Sequence, residues 1–390
     1  MHFSCKFMLW AALTLPLSAT SATFTPVITA NPSAAETVFS WRNDRCFDEN
    51  TPDSPARAFR SSTGQVFVYA SHYKNIPLVG TSIDQVKPAC ANHFSASFND
   101  NPEQYDARIW LQTFYSVDGG QKIYSLASSD YHGKWFNKCR IKKQTSHDCW
   151  MSAIVLAYSD DGGKTFDTAP PPEHIVANSP QRFLPTHSGS IGFLTTSNIV
   201  KIGDYYYSLF NSAAYKDQSG GNCLVRTNDL SSAASWRAWD GNDFKDQLRN
   251  MPSAESNGYT CKTLPTLPFK IRSLLWHEAS HGYIATFEKT NEVTGPQPRT
   301  DVMFAYSWSK DLKTWSDPRE IMTLQGSPGC KSPQPAGAYP SIIDSDSEDE
   351  NFGTVGHAGY LYYTKFNLHQ NCRLTLDRDL VRIPIEIDAQ

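Results

Sequence analysis

Beyond its first 22 residues, this 390-residue chain has no apolar run long enough to cross a bilayer as a helix, and helical periodicity is scarce throughout. Basic charge is not in excess. Lys and Arg number 35 against 39 Asp and Glu, a formal charge of −4, which argues against nucleic acid or an anionic membrane as the main partner. No Cys-x-x-Cys pair occurs, so nothing in the cysteine spacing points to zinc. Low-complexity tracts are missing too: the 22 Gly and 24 Pro are scattered as punctuation, and only the acidic residues 344–350 read as a solvated loop. What is present is 13% aromatic residues in alternating runs between turn residues, the pattern of an all-β chain with a substantial core.

Residues 1–22 carry Lys6, an apolar run over 7–17 and a small-residue exit at Thr20-Ser21-Ala22. This predicts a secretory leader cleaved near Ala22, a secreted or periplasmic location, and one domain over 23–390. Loss of Cys5 with the leader leaves eight Cys, an even number in an exported chain. Pairing of neighbours predicts Cys46–Cys90, Cys139–Cys149, Cys223–Cys261 and Cys330–Cys372.

A small signature recurs. Ser159-Asp160-Asp161-Gly162-Gly163-Lys164-Thr165-Phe166 reads S-x-D-x-G-x-T-aromatic, and Ser309-Lys310-Asp311-Leu312-Lys313-Thr314-Trp315 reads S-x-D-L-x-x-W. Thr227-Asn228-Asp229-Leu230, running on to Trp236, is a third copy, and Ser116-Val117-Asp118-Gly119-Gly120 a degenerate fourth. Each follows a β-like run, so each reads as a hairpin turn whose Asp accepts hydrogen bonds from its own backbone amides. Five times an apolar strand, a turn and an aromatic strand follow one another. The first strands fall at 56–59, 109–115, 197–201, 272–276 and 339–343, and the second at 65–71, 122–127, 204–210, 282–288 and 359–366. A turn repeated about once per four strands predicts a β-propeller of five blades. Six blades is the rival count, because residues 167–192 have room for further strands.

These turns resemble the Asp boxes of sialidases and other propeller enzymes. The blade pattern is also similar to five-bladed glycoside hydrolases of the arabinanase and β-xylosidase type, whose blades end in S-x-D-L-x-x-W and whose first blade opens with Asp-Pro. The corresponding opening here is Asp53-Ser54-Pro55, with a Ser between Asp and Pro. The resemblance implies that Asp53 holds the place of the catalytic base. Asp boxes also occur in non-catalytic propellers, so they specify fold better than function.

Blade topology places the entry to strand one and the loop after strand two on one face, opposite the Asp turns. That face should carry Asp53, Arg57, His72, Tyr73, Asp106, Arg108, Asp130, Tyr131, His132, Ser197, Asn198, Asn211, Glu255, Glu288, Tyr339, Lys365 and Asn367. Glycoside hydrolysis needs one carboxylate as base or nucleophile and one protonated carboxyl as acid. Asp53 is the first candidate and Glu255 the candidate acid, with Asp130 an alternative for either role or a modulator of the acid. Each has a plain alternative: a turn cap for Asp53, an ordinary surface loop for Glu255.

Arg57 either pairs with Asp53 or clamps substrate, since a lone cation in a channel is costly. His72 and His132, at equivalent points of neighbouring units, suit hydroxyl binding, though structural histidines are commoner. Arg108, Asn198 and Tyr339 complete the substrate-binding candidates, and Trp110, Trp150 and Trp276 offer stacking faces. Asp161, Asp229 and Asp311 read as structural. No cofactor is indicated, although calcium in the channel would leave little trace in sequence.

The reading as a whole is an exported, monomeric glycoside hydrolase acting on an oligo- or polysaccharide. One alternative is a sialidase-like exo-enzyme recruiting Arg57, Arg108 and Tyr339, for which no convincing arginine triad is visible. Another is a propeller that only binds glycans or proteins; the unlike entry segments of the five units favour one asymmetric site instead.

Overall fold

The computed structural model describes residues 25–389 apart from 144, 146, 251–259, 329–333 and 369–371. The expected leader, Glu255 and Cys330 lie outside the described residues. Almost everything described is strand and turn, and the one α-helix, Trp41–Asp44, is a single turn.

Among the described residues the strands form four sheets, one of them of eleven strands; dividing that sheet at the parallel pairing between Trp150–Ser159 and Ser190–Thr196 gives units of antiparallel strands. The first holds Pro52–Arg60, Val66–Ser71, Leu78–Gly80 and Lys87–Pro88. The second holds Ile109–Val117, Lys122–His132 and Trp150–Ser159. Ser190–Thr196, Tyr205–Ser212, Gly221–Thr227 and Arg237–Trp239 form the third. The fourth is Ile271–His277, Gly282–Val293, Arg299–Ser309 and Arg319–Leu324. The fifth combines Gly337–Ile343, Ala358–Phe366 and Arg378–Ala389 with Pro26–Ala30 from the other end of the described chain, in the register Pro26↔Ala389 to Ala30↔Ile385. Uniting the first and last strands in one sheet closes the array.

Apolar layers between the units follow from the two-residue period of a strand, which sends alternate side chains to opposite faces. In the second unit Ile123, Ala127, Ala153 and Val155 pack toward Phe59, Phe67 and Tyr69 of the first. Their neighbours Leu126, Ile154 and Leu156 pack toward Phe193, Phe210 and Val225 of the third. Similar layers join the third to the fourth, the fourth to the fifth and the fifth back to the first. A sheet covered on both faces and packed into a closed ring is a β-propeller.

Three expectations need correction. The third unit's inner strand is Ser190–Thr196, not 197–201; the chain breaks at Ser197-Asn198-Ile199 and resumes pairing at Val200–Ile202. Gly192 makes this inner strand possible. It takes φ 91° where the second and third units pair in parallel, and a Cβ there would strike the Ser152 carbonyl. Asp167–Thr168 and Ile175–Ala177, from the stretch with room for a further unit, both pair with Trp150–Ser159 and extend the second unit instead. Finally, Asp118 is no fourth Asp box: it joins the first and second strands of its unit and takes φ 53°.

The other Asp turns behave as their composition demands. Asp161 accepts from the Lys164 and Thr165 amides at 3.0 Å each, and Asp311 from Lys313 and Thr314 at 2.8 Å each. Although burial opposes it, these donors hold both carboxyls below the usual range. Disulfides join Cys46 to Cys90, Cys139 to Cys149 and Cys223 to Cys261, and Cys372 is also disulfide-bonded.

Candidate active site

The starts of the first strands, the ends of the second and the starts of the third meet at one mouth of the ring, away from the Asp turns. Asp53 stands there at an irregularity: pairing with Val66–Ser71 shifts register between Pro52 and Arg57, and the Ser54 hydroxyl bonds the Ser71 carbonyl at 3.1 Å. This bulge turns the Asp53 carboxylate onto Arg378, its direct salt-bridge partner, while the Tyr339 hydroxyl donates to it at 3.3 Å. His72 lies 3.7 Å away. Burial and then the surrounding cations push the His72 imidazole down to about 4, against the pull of Asp53, so this contact involves a neutral ring.

Tyr339 is held in the left-handed region, φ 64°, immediately before Pro340, where the strand register shifts again. Its phenol is raised well above the usual range by burial first and Asp53 second. The Tyr339 amide donates to Glu288 at 3.2 Å, and its ring faces Arg272 at 4.7 Å. Glu288 clamps Arg272 through both carboxylate oxygens, at 2.8 and 2.9 Å to Nε. Next to that pair is Lys270, whose amine burial and Arg272 bring down to about 8.

On the other side, Asp130 accepts from Ser152 at 2.6 Å and Ser128 at 3.1 Å, and burial raises its carboxyl above the ordinary value. Arg108 lies within electrostatic reach of both Asp130 and Asp53, and Lys270 of both Glu288 and Asp130. The circuit Asp53, Tyr339, Arg272, Glu288, Lys270, Asp130, Arg108 thus returns to Asp53. It draws on the first, second, fourth and fifth units and forms one cluster of charged groups at this mouth, here termed the basin.

Arg57 does not pair with Asp53. Buried to 2% exposure, it donates to the carbonyls of Ala56 at 3.0 Å, Thr196 at 3.5 Å and Arg272. Burial and then Arg272 lower it to about 9. Asn198 is occupied as well, its carboxamide oxygen taking the Leu274 amide at 3.1 Å across the third and fourth units. Tyr131 is buried against Phe136 and bonds the Asp100 carbonyl, which makes it part of the wall. His132 stacks on Trp150 at 5.0 Å with Trp135 tilted against it at 4.4 Å, and burial with Arg108 lowers it to about 2. Trp110 stands edge-on to His72 at 5.3 Å, whereas Trp276 faces the opposite mouth beside His281. Among the described residues, no group of three His, Cys, Asp or Glu side chains gathers as metal ligands.

Arg378, Arg272 and Lys270 were not among the residues expected from sequence. Arg378 ends the loop after the fifth unit's second strand, on the face the topology rule selects. Arg272 is a lone cation on an inner apolar strand, the same signal that marked Arg57.

The Arg272–Glu288 pair yields a prediction. Both side chains are about seven-eighths buried, so Glu288→Gln strands a desolvated guanidinium. Loss of about 3–5 kcal/mol is expected in urea unfolding. Arg272→Met together with Glu288→Leu should recover most of it; equal losses in the single and double variants would show the pair is not the cause.

No family model and no curated protein matches the chain. Solved structures similar to it include an α-L-arabinanase of Cellvibrio cellulosa, 11% identical with TM-score 0.44, covering 84% of this chain and 90% of that one. An exo-1,5-α-L-arabinanase from a bovine ruminal metagenomic library is 12% identical with TM-score 0.46, covering 87% and 95%. An endo-1,5-α-L-arabinanase from Thermotoga petrophila is 10% identical with TM-score 0.45, covering 85% and 72%.

Proposed function

We propose that this propeller is an exported glycoside hydrolase whose basin cleaves a glycosidic bond between Asp53 and Asp130. One observation carries the reading: two carboxyls in opposite environments share one neighbour, Arg108. Asp53 is salt-bridged to Arg378, while Asp130 is buried among serine hydroxyls and raised. A buried carboxyl raised above its ordinary value, beside a second carboxylate held by an arginine, is the environment that an acid and a base need. Asp130 gives its proton to the leaving oxygen, and Asp53 activates water or attacks the anomeric carbon. Glu255, the candidate acid of the sequence reading, lies outside the described residues and becomes the alternative to Asp130. The proposed leader, the disulfides and the single ring fit a monomeric protein outside the cytoplasm.

A second reading makes Tyr339 the nucleophile with Asp53 as its base, favoured by their 3.3 Å contact. A panel of polysaccharides and aryl glycosides, run on the mature protein and on Tyr339→Phe, tests both. Turnover that survives Tyr339→Phe supports the carboxylate pair, and turnover lost with it supports the tyrosine. Glycan binding without turnover on any substrate would leave a binding propeller.

A further inference from the structure

The basin is cationic in an acidic protein. Among the described residues, the carboxylates that act on Arg57, Arg108, Arg272, Arg378 and Lys270 are Asp53, Asp130 and Glu288, although the chain as a whole carries more acids than bases. Most of these cations are already engaged. Glu288 holds Arg272, Asp53 holds Arg378, and backbone carbonyls wall in Arg57.

Arg108 differs. It is 8% exposed, its Nε is buried with no hydrogen-bond partner, and among the described residues its guanidinium makes no ion pair. Its nearest neighbours are aromatic faces, Tyr73 at 4.8 Å, Trp110 at 5.0 Å, and Trp135, which is 37% exposed, while Asp130 and Asp53 act on it without a salt-bridge contact. Lys74 and Lys134 extend this positive rim, and among the described residues neither has a carboxylate partner. A cavity of about 220 Å³, lined by Tyr73, Lys74, Ser95, Ala96, Phe98 and Ala107, opens beside it. Both histidines of the mouth are held in the neutral form, burial acting first and Arg108 contributing each time, so neither adds a further positive charge.

We propose that Arg108, with the aromatic wall of Tyr73, Trp110 and Trp135, forms a subsite for an acidic sugar residue and receives its carboxylate. A buried guanidinium with no carboxylate in direct contact is costly, and a planar carboxylate matches its donor geometry. The aromatic faces suit the apolar face of a sugar ring. Lys74 and Lys134 would draw the same anionic chain toward the mouth. The inference rests on the basin being a glycan site, but not on its cutting the glycan.

Affinity electrophoresis of the whole mature protein tests it, in gels containing polygalacturonate, alginate or hyaluronan and, in parallel, the same polymers after carboxyl reduction. Retardation by at least one acidic polymer is expected, weakened by added salt and absent with its reduced form. Arg108→Gln should weaken that binding about tenfold or more. Lys74→Gln with Lys134→Gln, changes at partly exposed positions that should leave folding intact, should weaken it by a few fold. Equal binding to acidic and reduced polymers, or none to any acidic polymer, would overturn the proposal. So would retardation only by dextran sulfate, or full binding by a folded Arg108→Gln protein. Acidic-polymer binding with no turnover of any glycan would remove the hydrolase reading and leave this subsite standing; turnover of neutral glycans with no binding to any acidic polymer would do the reverse.

Discussion

Asp53→Asn is expected to lower turnover at least about a thousandfold on every glycan the protein cleaves, because the proposed mechanism gives Asp53 the role of activating water, attacking carbon or serving as base to Tyr339. The variant also has a structural cost. Its amide can still accept from the Tyr339 hydroxyl, but Arg378, 13% exposed at the side chain, loses its counter-charge. A stability loss of about 1–3 kcal/mol should accompany the loss of activity. Adding Arg378→Gln separates the two effects: the double variant should regain stability in thermal melts and remain inactive. An Asp53→Asn protein retaining a tenth of normal turnover would take Asp53 out of the chemistry. An inactive single variant rescued by Arg378→Gln would make its role electrostatic support.

The division between what sequence revealed and what it hid has a physical basis. Asp turns are local, since Asp161 and Asp311 bond to amides within four residues, so three copies were legible as motifs. The alternating apolar runs fixed the strands because each sheet is covered on both sides. The place of Asp53 at the mouth of the ring was legible from blade topology. Its partner was not: Arg378 lies 325 residues away in sequence and meets it only once the fifth unit closes beside the first. Arg57 was read as a channel cation in need of a carboxylate, yet three carbonyls hold it, and backbone acceptors leave no mark in side-chain chemistry. The misplaced third-unit strand has a similar cause. Ser197-Asn198-Ile199 looks like the start of a strand, but the Asn198 side chain takes the Leu274 amide and interrupts the pairing that began at Ser190.

Asp130 is the residue whose titration should be visible twice. Burial raises its carboxyl, so in the folded state it binds its proton more tightly than in the unfolded chain. Between the ordinary carboxylate range and the raised folded value, the folded state therefore holds more protons, and stability falls as pH rises through that window. Asp130→Asn removes this titration. The variant should match the wild type in denaturant melts at acid pH and exceed it at neutral pH, the amide oxygen still accepting from Ser128 and Ser152. If Asp130 is the acid, activity should drop by about a hundredfold to ten-thousandfold on substrates with poor leaving groups and far less on activated aryl glycosides. The remaining aryl-glycoside activity should also lose its alkaline limb, because the proton whose departure shapes that limb is gone. Should the limb persist unchanged in a folded Asp130→Asn protein, the proton belongs to another carboxyl, and Glu255→Gln is the variant expected to remove it.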